Sequence, residues 1–158
     1  MELPNTVAFD SETTGLEARH CKMFAIQIGT GTNNFLIDLE TIPVKSVLPY
    51  LDRTLVMHNA CFDVGFLIRA GFFPKSVRDT YLASLIYYNG LPMNHSFGDC
   101  MNRELEINYD KSTQKNIHKV KLGTAQAIQY CFNDVDKLLS LHDTLCMKLT
   151  EWGAMESY

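Results

Sequence analysis

Residues 8–16 read AFDSETTGL: a short apolar run, then Asp10 and Glu12 one residue apart, then a turn that carries Gly15. The loose alternation from Thr6 to Glu12 predicts a strand, and Thr13-Thr14-Gly15 predicts the turn that ends it. Side chains two apart in a strand share a face, so these carboxylates are neighbours. Unpaired, they repel each other, and burial raises a pKa. A strand tip that faces water tolerates the pair. A divalent cation between them removes the conflict, because hard cations take oxygen ligands.

Outward from this strand, Met23 to Ile28 and Asn34 to Leu39 are rich in β-formers and flank GTGTN at 29–33, which predicts a hairpin. Pro43 to Leu51 predicts a short helix and Thr54 to Met57 a fourth strand. From Ala60 the period becomes helical: Phe62, Phe66, Leu67 and Ala70 fall on one face, and Gly71 ends the run. Asp79 to Tyr88 and His95 to Leu105 predict further helices. Ile107 to Gly123 is polar and predicts a loop, after which Thr124 opens a long helix that extends to about Trp152. Three strands, a helix, a strand and then mainly helices predict an α/β sandwich. Its central sheet is mixed, with the first three strands antiparallel and helices flanking it.

The bulk properties bound the function. A length of 158 residues, 46% hydrophobic and 20% charged, predicts one domain over residues 1–158. The N-terminal MELPNTVAF lacks the basic and long apolar regions of a secretory signal, and no apolar run matches a bilayer. The expectation is a cytoplasmic protein without a membrane partner. Five cysteines stand far apart with no CxxC pair, which predicts buried free thiols in a reducing compartment rather than zinc ligands or disulfides. The histidines form no ligand spacing. A net charge of -4 argues against a simple basic nucleic-acid binder, yet admits a nucleic-acid enzyme whose acidic site holds cations.

Two further acidic positions stand in motifs. In HNACFDVGFL, residues 58–67, Asn59 ends a strand and Asp63 lies in the first turn of the next helix, where the helix dipole alone favours an acid. In YCFND, residues 130–134, Tyr130 and Asp134 stack four apart on one helical face. Ile128, Phe132, Val135 and Leu139 form an apolar stripe on that helix, and Tyr130 and Asp134 fall away from its centre. Each motif alone has a structural explanation. Their order is more specific: DxE on a strand, NxxxD at a strand-to-helix junction, then YxxxD on a late helix.

In that order the sequence resembles the DEDD exonucleases, in the subgroup (DEDDy) whose third motif carries tyrosine. FDSETTGL is similar to the start of the proofreading 3′–5′ exonuclease domain of DNA polymerase I-type (family A) polymerases. HNACFD, DTYLAS at 79–84, HSFGDCMNREL at 95–105 and YDKSTQ at 109–114 resemble segments shared with ribonuclease D. The resemblance runs from Val7 to Leu149. One departure is STQKNIH after Asp110-Lys111, where many ribonuclease D relatives carry a tryptophan-containing segment.

The resemblance implies a ribonuclease H-like exonuclease fold and two-metal phosphodiester hydrolysis, with the ions about 3.5–4 Å apart. Asp10 would bridge both ions, Glu12 and Asp134 would hold the one on the nucleophile side, and Asp63 would support the other. All-oxygen ligation points to Mg²⁺ or Mn²⁺. Tyr130 would orient the attacking water with Glu12, since a phenol with an ordinary pKa near 10 is a poor base at neutral pH. Thr13 and Leu16 would hold the terminal nucleotide, with Asn59 and Phe62 shaping the same pocket.

The implied activity is removal of nucleoside monophosphates from single-stranded DNA 3′ ends, as a proofreading module beside a polymerase in cis or in trans. The alternatives are a ribonuclease D-like RNA exonuclease and an inactive nucleic-acid-binding module. No carboxylate is missing, which disfavours the last. The TTGL after the acidic pair favours DNA. Residues 110–121, DKSTQKNIHKVK, hold four lysines and one acid and offer Lys111, Lys115 and Lys119 to phosphates. Lys115→Ala and Lys119→Ala are expected to weaken DNA binding most at low salt, each lowering the salt slope by about 0.7. An unchanged slope in both variants would reduce the segment to a solvated connection.

Overall fold

The strand that carries the acidic pair, β1 (Thr6–Thr13), lies at the centre of a five-stranded sheet. The computed structural model describes residues 3–109 and 122–158. The other strands are β2 (Met23–Gly29), β3 (Asn34–Asp38), β4 (Thr54–Met57) and β5 (Ser76–Asp79), in the spatial order β3-β2-β1-β4-β5. β1, β2 and β3 pair antiparallel, whereas β1–β4 and β4–β5 pair parallel. The helices are α1 (Val44–Val47), α2 (Ala60–Arg69), α3 (Thr80–Tyr87), α4 (Phe97–Leu105), α5 (Ala125–Asp136) and α6 (Leu138–Glu151).

Alternation along β1 builds a core on each face of the sheet. Val7 and Phe9 pack with Ile26, Ile28, Leu55 and, from α2, Leu67. Ala8 and Val56 face the other way, onto Val135 of α5 and Leu138, Leu141 and Leu145 of α6. A full burial of one such side chain is worth about 1.5–3 kcal/mol, so the register is strongly set. A slip of one residue would turn Asp10 and Glu12 into the α2 layer. The pairing of Asp10 with Gln27 and of Glu12 with Ala25 is thus fixed by the flanking apolar residues.

Three local expectations need correction. β5 was not evident from sequence: only Val77 in it is apolar, Arg78 is exposed, and an edge strand tolerates that polarity. Asp79, expected to begin a helix, is the last residue of β5 and the N-cap of α3. The helix expected over Pro43 to Leu51 is one α turn followed by a 3-10 turn, Leu48–Leu51, because Pro49 cannot continue an α-helix. The cysteines are free but not all buried: Cys100 and Cys131 are buried, Cys61 is exposed, and Cys21 and Cys146 are half-buried.

The largest correction concerns the late helix. It bends at Lys137 into α5 and α6. Asp136-Lys137-Leu138 contains neither glycine nor proline, so the bend follows from packing. α5 lies over β2, β3 and β1, while α6 runs along α3 and α4 and over β4. At the bend the β2–β3 hairpin abuts the helix: Asn34 Nδ2 donates to Asp136 Oδ1 at 3.2 Å. The buried face of α5 is Ala127, Tyr130, Cys131 and Val135, with Ile128 and Phe132 only half-buried. Tyr130 and Asp134 therefore lie on the inward face, not away from it. Among the described residues no helix is long and apolar enough to cross a membrane.

Gly29, at the end of β2, sits under this bend, and a Cβ there would lie 2.7 Å from the Val135 carbonyl oxygen. Gly29→Ala is expected to push α5 away from the sheet and cost about 1–3 kcal/mol, as overpacking does. A denaturant midpoint equal to wild type would show that the helix yields freely there.

Candidate active site

The carboxyl end of β1 is where the two layers of the fold meet. Asp10 and Glu12 face the α5 layer, and Ser11, between them, faces the α2 layer. Asp63 sits in the first turn of α2, whose start is pinned by β5: the Asp79 carboxylate accepts from the backbone N–H groups of Asn59 at 2.8 Å, Ala60 at 2.9 Å and Tyr81 at 2.9 Å. Asn59 itself adopts the left-handed conformation (φ 63°, ψ 54°), which turns the chain from β4 into α2. Asp134 comes from α5 on the opposite face. In open α/β sheets, this end of the parallel strands is where ligands bind.

Carboxylate oxygens of Asp10, Glu12 and Asp134 lie within 4.8 Å of one another. Asp63 completes the set across the strand tip, its Oδ1 accepting from Ser11 Oγ at 2.6 Å. Gln27 Nε2, across β2, donates to Glu12 Oε1 at 3.1 Å. The hydroxyl of Tyr109 donates to Asp134 Oδ1. Cys131 Sγ also donates to Glu12 Oε1, at 3.9 Å, and all four donors are neutral. Among the described residues no lysine, arginine or histidine forms an ion pair with any of the four acids.

The electrostatic consequence is a set of weakened acids. Burial raises Asp10 well above the carboxylate range, and the charges of Asp63, Asp134 and Glu12 push the same way. Burial, with the charge of Asp63, lifts Glu12 to about 7 against the bond from Gln27. Burial also lifts Asp63 and Asp134 to about 7, against the bonds from Ser11 and Tyr109. The phenol of Tyr130 is raised far above its ordinary value, first by burial and then by the charges of Asp134, Glu12 and Asp10, so it stays protonated. Four crowded carboxyl groups without a cationic partner fit hard divalent ions, which take oxygen ligands.

These acids open onto a cavity of about 520 Å³. Asp10, Glu12, Asp63, Tyr130 and Asp134 line it, and so do Thr13, Leu16, Asn59 and Phe62. Leu16 is 85% exposed at the tip of the turn after β1. That turn is held by Thr13 Oγ1 donating to the Gly15 carbonyl at 2.8 Å and by Arg69, which donates to the carbonyls of Ala18 and Cys21. Lys111, Lys115 and Lys119 lie outside the described residues. Sequence reasoning missed Ser11, Gln27 and Tyr109. Register supplies the one signal for Gln27, opposite Asp10; nothing local marks the others. His58 lines the cavity too, with Nδ1 against Thr80 Oγ1 at 2.9 Å and Nε2 against the His95 carbonyl at 3.0 Å.

Residues 1–150 match the family profile described as 3′-5′ exonuclease. The chain belongs to this exonuclease family. It is 32% identical over 150 residues to DNA polymerase I of Aquifex aeolicus (strain VF5), matching 92% of this chain but 24% of that protein. Its fold, a mixed sheet flanked by helices, is that of the ribonuclease H-like DEDD exonucleases. The structure of Brucella melitensis NrnC with bound Mg²⁺ superposes with a TM-score of 0.82 at 22% identity, covering 97% of this chain and 77% of NrnC. Escherichia coli RNase D, an exoribonuclease involved in structured RNA processing, gives a TM-score of 0.79 at 22% identity, covering 97% of this chain and 43% of RNase D.

The exonuclease fold thus stores electrostatic repulsion at its strand tip, and this sets a pH dependence. The raised carboxyls keep their protons in the folded state up to about 7, whereas the unfolded chain releases them near 4. Between those values the folded state holds more protons, so metal-free stability falls as pH rises. In EDTA the thermal midpoint is expected to be lower at about pH 8 than at about pH 5.5, with Mg²⁺ or Asp10→Asn raising it mainly at the higher pH. An equal or higher midpoint at the alkaline end without metal would contradict the stored repulsion.

Proposed function

We propose that this chain is one catalytic unit that hydrolyses single-stranded DNA from the 3′ end, releasing nucleoside monophosphates, and proofreads for a polymerase in cis or in trans. The observation that carries the proposal is the cluster of four uncompensated carboxylates beside a phenol in one cavity, in a chain 32% identical to a DNA polymerase I over 150 residues. Asp10, Glu12, Asp63 and Asp134 are the residues that would hold two divalent ions, Mg²⁺ or Mn²⁺. Such ions, when bound, lower the pKa of water and stabilise the leaving oxygen.

The chain's own residues divide the remaining work. The Tyr130 hydroxyl has no hydrogen-bond partner among the described residues and keeps its proton, so it serves as a donor that orients the attacking water rather than as a base. Glu12 is the acceptor on the other side of that water. Leu16, exposed above the cavity, and Phe62 offer apolar surface to the terminal base, in keeping with stacking on single strands. Thr13 and Asn59 border the same space and contact the terminal nucleotide. Lys111, Lys115 and Lys119 bind the phosphates that follow.

A second reading, RNA hydrolysis, has support from the fold shared with RNase D, and discrimination rests on the 2′-OH. Matched 5′-labelled DNA and RNA oligonucleotides, each with Mg²⁺, Mn²⁺ or EDTA, separate the two. A metal-dependent ladder from the 3′ end of DNA is expected, and Asp10→Ala is expected to slow it about 10²–10³-fold or more while the protein stays folded. A ladder on RNA alone would favour the ribonuclease. Full activity in Asp10→Ala would remove the acidic cluster from the chemistry.

A further inference from the structure

Three of the four acids each take one hydrogen bond from a side-chain hydroxyl or amide, and the donor on Asp134 is the one with an anchor of its own. Tyr109 follows α4 in a stretch without regular structure, 25 residues before Asp134. Its ring is nonetheless fixed. It meets Phe97 of α4 edge-on, with centroids 5.1 Å apart at 80°. Phe97 in turn meets His58 at 5.3 Å and 62°, and both ring nitrogens of His58 are engaged by Thr80 and His95. The phenol is therefore anchored to the end of β4 and to α4, not to the helix that bears its acceptor.

Asp134 needs such an anchor more than its neighbours do. Asp10 and Glu12 stand on the central strand, paired with Gln27 and Ala25 of β2. Asp134 stands on α5, one turn before the bend at Lys137. A lysine or arginine here would orient the carboxylate but neutralise it, and so compete with a cation. A phenol orients it and leaves the charge. Tyr130 does not substitute, since its hydroxyl makes no bond to Asp134.

We propose that Tyr109 is a positioning residue for divalent-metal binding: its hydroxyl fixes Asp134 in the orientation that a cation shared with Asp10 and Glu12 requires. This rests on the reading of the acidic cluster as a divalent-cation site. The two tyrosines then have separate tasks, Tyr109 in assembling the metal site and Tyr130 in handling water.

The test is Mn²⁺ titration of the folded protein without nucleic acid, followed by calorimetry or by the signal of free Mn²⁺ in electron paramagnetic resonance. Tyr109→Phe keeps the ring against Phe97 and removes only the hydroxyl. It is expected to weaken Mn²⁺ binding about 10–100-fold, the usual effect of losing a group that orients a ligand. Its half-saturating Mg²⁺ in hydrolysis should rise by a similar factor while KM for the oligonucleotide stays unchanged. Tyr130→Phe should bind Mn²⁺ as wild type does and lose turnover instead. An unaltered isotherm in Tyr109→Phe, with wild type binding Mn²⁺, would overturn the role of Tyr109 alone. Tighter binding would make Tyr109 a competitor of the metal and overturn it too. Absence of Mn²⁺ binding by wild type would overturn the cation site itself.

Discussion

Four carboxyl groups from three elements crowd the tip of one strand, and no cationic side chain among the described residues pairs with them. A hydrophobic alternative at these positions would fold more comfortably, because each buried charge resists desolvation and repels its neighbours. The fold holds them there by force of packing elsewhere. Val7 and Phe9 on one face and Ala8 on the other fix the register of β1, and the acids follow from that register. Such repulsion is what a divalent ion would relieve, since a cation gains most where the protein offers negative charge without relief.

Neutral donors refine this arrangement. Ser11, Gln27 and Tyr109 each give one hydrogen bond to an acid, and none carries charge. They oppose the rise in carboxyl pKa only in part. The acids thus stay oriented while their mutual repulsion is left in place. Gln27 is fully buried, and its Oε1 has no hydrogen-bond partner among the described residues, so even the orienting shell is imperfectly satisfied beside the site.

The two faces of the sheet contribute unequally. The α2 layer supplies Asp63 through a junction that Asp79 pins at both helix starts. The α5 layer supplies Tyr130 and Asp134 through a helix that bends at Lys137 to serve two packing partners. Because the bend lies one turn beyond Asp134, the hairpin contact at Asn34 and Gly29 also sets how far that carboxylate reaches toward β1. The exonuclease site therefore depends on hairpin, helix and strand together.

The adjacency of Asp10 and Glu12 was legible in the sequence, because strand period is local and two residues suffice to state it. Asn59 and Asp63 were legible for the same reason, as a change from period two to a helical period across a junction. The order of the three acidic motifs points to the exonuclease family by sequence alone. The inward face of α5 was not legible: Ile128 and Phe132 outweighed Tyr130 and Asp134 on hydrophobicity, and only the sheet beneath the helix selects which face is buried. β5 was hidden by its charges, and the bend at Lys137 has no local cause. Ser11, Gln27 and Tyr109 became visible only when strand register and chain return brought them to the acids, over separations of 52, 15 and 25 residues. Sequence determined which acidic groups share a face or a junction, since residue type and period are local properties. The tertiary structure decided what orients them, since a hydrogen bond between distant segments exists only after both cores have closed.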